Sequence, residues 1–122
     1  MTIHDRTHTI LVVEDEEESR QALMQILELE GFSTVGASNG AEAMDYLRTS
    51  SRPCLIVLDL NMPVMNGRQL RAELRQVEEL AIIPVVVVSA QESFAAGDLG
   101  AVGAFRKPLD VDALVKVVVD NC

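Results

Sequence analysis

Asp59 sits at the end of an apolar run, Cys54-Leu-Ile-Val-Leu58, and is followed by Leu60-Asn61-Met62-Pro63 and, after Val64-Met65-Asn66, by Gly67. A hydrophobic run of this length, bounded by Pro53 and by an Asn/Pro/Gly-rich turn, reads as a buried parallel strand. Such a strand has no reason to contain an ionised carboxylate. Asp59 is therefore expected just past the strand's carboxyl end, the edge where ligands bind in open α/β sheets. Two more acids, Glu14 and Asp15, follow a second apolar run, Thr9-Ile-Leu-Val-Val13. If the three carboxylates converge, each pair about 4 Å apart repels by roughly 4 kcal/mol at an effective dielectric of 20. A cation is then needed to keep all three ionised, and a half-open, oxygen-only site that also receives phosphate oxygens is the usual setting for Mg²⁺.

The remaining candidates stand at two further strand ends. Pro84-Val-Val-Val-Val88 leads to Ser89, a hydroxyl suited to a phosphate oxygen, and a strand at Gly103 to Arg106 leads to Lys107-Pro108. The chain has two lysines against eight arginines, so a lysine here selects a compact, flexible point charge over a planar fork. Lys107 reads as the counter-charge to Asp59 or to a group attached to it. The chemistry that uses this set is phosphoryl transfer to a carboxylate. Asp59 is the nucleophile, Mg²⁺ and Lys107 neutralise charge on the transferring group, and Ser89 with backbone N–H groups holds its oxygens.

The elements that must position these residues follow from the hydrophobic periodicity. After the first strand, Ala22, Leu23, Ile26 and Leu27 share a helical face within Glu16 to Glu30, and Gly31 closes that helix. Ser33 to Ala37 is a weaker strand, and Ser38-Asn39-Gly40 opens a helix with Ala43, Met44 and Leu47 as its apolar face. Leu70, Leu74 and Val77 mark a third helix, Phe94 to Leu99 a short one, and Val111, Leu114, Val115 and Val118 the last. The order βαβαβαβαβα predicts a parallel sheet with helices on both faces, joined by right-handed crossovers.

Composition narrows the function classes. With 122 residues, 48% of them hydrophobic, the chain is expected to form one domain over residues 9–122 behind a polar, flexible tail at residues 1–8. A net charge of −9 leaves no basic stripe for nucleic acid and suits no anionic membrane surface. No apolar run is long enough for a membrane span and no signal-peptide pattern precedes the domain, so the expected compartment is the cytosol. Nothing follows the last helix, so an output domain is expected on a separate molecule. Cys54 and Cys122 have no metal-ligand spacing and no disulfide framework around them, and are read as free cysteines, one buried filler and the other an exposed terminal thiol. His4 and His8 belong to the polar tail, and Glu16, Glu17 and Glu18 to a solvated first helical turn.

Taken together and in order, Glu14-Asp15, the Leu58-Asp59-Leu60-Asn61-Met62-Pro63…Gly67 loop, Ser89-Ala90, and Gly100-Ala101…Lys107-Pro108 resemble the receiver domain of two-component response regulators over Thr9 to Asn121. The resemblance implies a flavodoxin-like, doubly wound (βα)5 fold with strand order 2-1-3-4-5. It implies that Asp59 accepts a phosphoryl group from a histidine kinase or histidine phosphotransfer protein, and that the phosphorylated form switches binding of a downstream protein. It implies Mg²⁺ held by Asp15, Asp59 and the backbone carbonyl of Asn61, with Glu14 acting through water, Lys107 on the acyl phosphate, and Ser89 moving toward it. It also implies a cis Lys107–Pro108 bond and places Asn61 and Gln91 beside the water that hydrolyses the phosphoaspartate. Such a module is no enzyme beyond catalysing its own phosphorylation and dephosphorylation.

Three departures from the family pattern stand out. Glu14 replaces the more frequent Asp, Ala104 stands where many relatives carry the inward-swinging Tyr or Phe, and the Ser89 to Lys107 interval is shorter than usual by about one helical turn, ~4 residues. Phe105 points to the opposite face by strand alternation and is assigned to the core. Two other functions use parts of the same set: a pseudo-receiver that binds partners without phosphorylation, and a small Mg²⁺-dependent aspartyl phosphatase. The second lacks the acid expected two residues after the nucleophile, where Asn61 stands.

Overall fold

The computed structural model describes residues 8–49, 52–60, 67–89, 101–107 and 109–122. In chain order the elements are β1 (Thr9–Val13), α1 (Glu17–Leu29), β2 (Ser33–Ala37), α2 (Gly40–Thr49), β3 (Leu55–Asp59), α3 (Gly67–Arg75), a single turn α4 (Glu78–Ala81), β4 (Val85–Ser89), β5 (Gly103–Arg106) and α5 (Val111–Asn121). The five strands form one sheet in the order β2-β1-β3-β4-β5, all pairs parallel. This is the doubly wound flavodoxin-like arrangement. The helix expected at Phe94 to Leu99 lies outside the described residues.

Strand alternation divides the core between the two faces of the sheet. Leu11, Val13, Ile56, Leu58, Val85 and Val87 face one side, where Ala43, Met44 and Leu47 of α2, Leu70 and Leu74 of α3 and Leu80 of α4 cover them. Ile10, Val12, Leu55, Val57, Val86 and Val88 face the other, under Leu23 and Leu27 of α1 and Leu114 and Val118 of α5. With both faces covered, β3 and β4 are buried at every position, which is why they read as unbroken apolar runs. Among the described residues no helix is long and apolar enough to cross a membrane.

Helix ends follow local chemistry. Asn39 Oδ1 accepts the Glu42 N–H at 2.9 Å, while Glu42 Oε1 reaches back to the Ser38 N–H at 2.7 Å and its hydroxyl at 2.8 Å. This reciprocal cap satisfies donors that the first turn of α2 cannot pair internally, and the bonds to Ser38 hold the Glu42 carboxyl below its ordinary pKa. At the other end of α1, Gly31 adopts φ 100°, which lets its N–H reach the Glu28 carbonyl and the Phe32 N–H reach the Leu27 carbonyl. Phe32 is thereby turned into the core.

Four expectations are corrected. Asp59 is the last residue of β3, not the first beyond it: it pairs with Val88 and the Leu60 N–H still donates to the Val88 carbonyl. Val77 does not extend the apolar face of α3; the helix ends at Arg75, and Val77 caps α4 with 39% of its surface exposed. Ala22 and Ile26 are not covered by the sheet as Leu23 and Leu27 are, because the apolar stripe of α1 is wider than the contact it makes. Cys54 and Cys122 are not free thiols but are bonded to each other, because the start of β3 and the end of α5 meet at the same edge of the core.

Replacing Gly31 by alanine puts a Cβ into left-handed backbone, and we expect a loss of about 1–2 kcal/mol in urea unfolding. An unchanged midpoint would show that α1 can end without this turn.

Candidate functional site

Sheet register alone brings the first two acids together. Val13 of β1 pairs with Leu58 of β3, so the next residues along, Glu14 and Asp59, stand level at the carboxyl edge. This is also where the chain order reverses, β2 lying on one side of β1 and β3 on the other. At such a switch point the flanking loops diverge and leave a crevice.

Glu14 is held on several sides. Its N–H donates to the Ala37 carbonyl at 3.0 Å, its own carbonyl accepts from Arg20 Nη1 at 2.9 Å, and its Oε2 accepts the Glu16 N–H at 3.2 Å. Arg20 reaches that carbonyl by lying across Gly36 of β2, where a Cβ would stand 3.0 Å from Arg20 Cδ and from Met24 Sδ. Sequence reasoning missed Arg20. The available signal was a lone base one turn into an otherwise acidic stretch.

Lys107 is delivered by the far side of the sheet. Its N–H donates to the Ser89 carbonyl at 3.0 Å, continuing the β4–β5 ladder past the Ser89–Arg106 pair. The ammonium then crosses above β3: Nζ lies 2.8 Å from Glu14 Oε1 and 3.6 Å from Asp59 Oδ2. Both carboxylate side chains are nearly inaccessible, at 1% and 4%, whereas 29% of the lysine remains open to solvent. Burial is the largest single influence on the lysine and would make it release its proton more easily. The Glu14 hydrogen bond and the charges of Asp59 and Glu14 together outweigh that, so its pKa is raised above the ordinary value.

Asp15 completes the acidic group from the exposed side. Glu14, Asp15 and Asp59 each offer a carboxylate oxygen, and these oxygens lie within 4.8 Å of one another. Three hard oxygen donors, two buried and one facing solvent, fit a divalent ion such as Mg²⁺ that keeps part of its water shell. Ser89, the last residue of β4, is fully buried at the same edge. Asn61, Gln91 and Pro108 lie outside the described residues. The candidates from four strand ends are thus brought to one place, and His8 is not among them; its carbonyl accepts the Ser33 N–H.

Residues 10–119 match the family model described as the response regulator receiver domain. The chain belongs to the response regulator receiver-domain family. It is 34% identical over 112 residues to sporulation initiation phosphotransferase F of Bacillus subtilis, covering 86% of each chain. A response regulator receiver protein from Pseudomonas putida superposes with a TM-score of 0.84 at 31% identity, covering 97% of this chain and 99% of that one. The response regulator TrrA from Thermotoga maritima, solved in complex with Mg²⁺ and BeF, superposes with a TM-score of 0.83 at 25% identity, covering 95% of this chain and all of that one.

Receiver domains are signalling modules of two-component and phosphorelay systems, not classical enzymes; they interact with histidine kinases or phosphotransfer proteins and bind Mg²⁺ at an acidic pocket. Within this receiver domain the departures have visible consequences. The extra methylene of Glu14 carries its carboxylate to the lysine, which lies nearer to it than to Asp59. Ala104 packs with the α2/α3 side of the core and Phe105 with the α1/α5 side, as alternation requires.

Because the Lys107 pKa is raised on folding, the stability its charge contributes is fully present below the unfolded value of about 10.4 and is lost as pH rises through the higher folded value. Urea unfolding of the protein and of Lys107→Met from pH 8 upward should therefore differ most at the neutral end and converge under strongly alkaline conditions. A gap that stays constant to the alkaline limit would mean that the ammonium contributes nothing through its charge.

Proposed function

We propose that this receiver domain accepts a phosphoryl group on Asp59 and that the phosphorylated form switches the binding of a partner protein. The observation that carries this reading is the placement of Lys107 Nζ between the buried carboxylates of Glu14 and Asp59, with Asp15 beside them. An ammonium and a set of hard oxygen donors surround one strand-end carboxylate, as a nucleophile for phosphorus requires.

In the transfer, an Asp59 carboxylate oxygen forms a bond to phosphorus as the bond from phosphorus to the donor's histidine nitrogen breaks. Glu14, Asp15 and Asp59, with the carbonyl of Asn61, would hold Mg²⁺, which supplies charge neutralisation for the phosphoryl oxygens. The formal charges agree with this: three carboxylates and one ammonium leave two negative charges. Lys107, tethered through its backbone to β4 but with a flexible stem, turns its ammonium from Glu14 to a phosphoryl oxygen. Ser89 donates its hydroxyl to another, and water later attacks the phosphorus, releasing inorganic phosphate and the Asp59 carboxylate.

The donor's approach is supported by the groove beside the site. Ala22, Leu23 and Ile26 of α1 face Leu109 and Val111 across a cavity of about 280 Å³ whose lining also includes Glu14 and Lys107. An apolar trough of this kind takes the apolar face of a helix, and a histidine carried on that helix would stand over Asp59.

Incubation with Mg²⁺ and a small acyl phosphate should add one phosphoryl group by mass, and none in Asp59→Asn. Lys107→Ala should remain folded and react at least tenfold more slowly, about 1.4 kcal/mol of transition-state stabilisation. Modification that persists in Asp59→Asn would overturn the assignment, and a wild-type rate in Lys107→Ala would remove the counter-charge role.

Asp15→Asn removes one hard donor from the solvent side without entering the core. Mg²⁺ binding, followed by calorimetry in the absence of any phosphodonor, should weaken by roughly tenfold or more, about 1.4 kcal/mol. Unchanged affinity would place the ion elsewhere.

A further inference from the structure

Cys54 and Cys122 have no part in phosphoryl transfer, yet they are bonded across 68 residues of sequence with their Cα atoms 5.2 Å apart. Cys54 immediately precedes β3 and donates its N–H to the Thr9 carbonyl; Cys122 follows α5 and donates to the Val118 carbonyl. Both are half-buried and pack at the margin of the cluster that contains Leu55, Val57, Leu114 and Val118. Small thiols and disulfides can reach residues so placed.

Their position in the fold gives the bond a mechanical meaning. From Cys54, β3 runs five residues, about 17 Å, to Asp59. From Cys122, α5 runs back eleven residues, about 16 Å, to a start four residues after Lys107. The bond joins the far end of the strand that carries Asp59 to the far end of the helix that follows Lys107 in the chain. It closes one side of the sheet-and-helix layer at the edge opposite the chemistry.

We propose that Cys54 and Cys122 form a reversible thiol–disulfide couple that clasps the end of α5 to the base of β3 and exchanges with low-molecular-weight disulfides of the glutathione class. One protein thiolate attacks glutathione disulfide, forming a mixed disulfide as one glutathione thiolate leaves. The second protein thiolate attacks the cysteine sulfur of that mixed disulfide and expels the other. The two cysteines lose two electrons and two protons, and one glutathione disulfide becomes two glutathiones. In a reducing compartment a disulfide of this kind is transient and sensing, not a permanent staple. Closing so long a loop restricts the unfolded chain, and it also holds the last turn of α5, where helices fray, against the sheet. The couple is independent of whether Asp59 is phosphorylated.

The full chain, equilibrated in a series of glutathione redox buffers, alkylated and resolved by mass, should pass between a form with two reactive thiols and a monomer with none. The oxidised form should melt about 10 °C higher, and its amide exchange over Val117 to Asn121 should slow several-fold. Cys122→Ser should melt with the reduced protein under both conditions and show no change in exchange. The proposal is overturned if both thiols stay reactive in excess glutathione disulfide or if covalent dimers form instead. It is equally overturned if the bond resists reduction across the whole series, or if melting and exchange are identical in the two redox states.

Discussion

Two buried carboxylates meeting one ammonium is the arrangement on which this structure depends. Glu14 and Asp59 are almost sealed from solvent, so neither can rely on water to spread its charge. Two like charges a few ångströms apart repel by several kcal/mol at any dielectric appropriate to a protein. Lys107 offsets part of that and no more, since its charge is shared between two partners. The site is thus held in a state that favours the arrival of positive charge, or of a group that brings it.

Rigid placement of such a set requires elements that cannot yield to the repulsion. Parallel strands covered on both faces supply them: β3 and β4 are fully buried, and a one-residue slip in either would turn every side chain to the wrong layer. The acids therefore sit where the ladder ends, still paired by backbone. The last ladder bonds do the aiming. Lys107 to Ser89, Leu60 to Val88 and Glu14 to Ala37 are each the final rung between neighbouring strands. Arg20, lying over Gly36, fixes the Glu14 carbonyl from outside the sheet.

What could be read in the sequence is what a doubly covered parallel sheet forces on it. Unbroken apolar runs ending in Glu14, Asp59 and Ser89 show both the strands and the edge they share, because polar residues are tolerated only at the ends. Less legible were features set by contacts distant in sequence or by helix length. Val77 continues the 3.6-residue pattern of Leu70 and Leu74, but periodicity does not register that the helix stops at Arg75. Ala22 and Ile26 share a stripe with Leu23 and Leu27, and only the position of Leu109 and Val111 decides which of them meet a groove. The pairing of Cys54 with Cys122 depends on β3 and α5 having nearly equal length, which no local spacing encodes.

The same reasoning bears on how the site communicates. Ala104 offers no aromatic ring to swing, and it packs with the α2/α3 side of the core. Phe105 faces α5 instead. A Cβ on Gly103 would stand 3.0 Å from Val117 Cγ1 and 3.2 Å from the Phe105 ring, so β5 and α5 approach closely at this glycine. Lys107 lies between these two elements in the chain and forms the contact with Glu14 and Asp59. The contact with Glu14 and Asp59 is thus made by the residue that leads out of β5 toward α5, at the end of the strand that packs against that helix without an aromatic ring at Ala104.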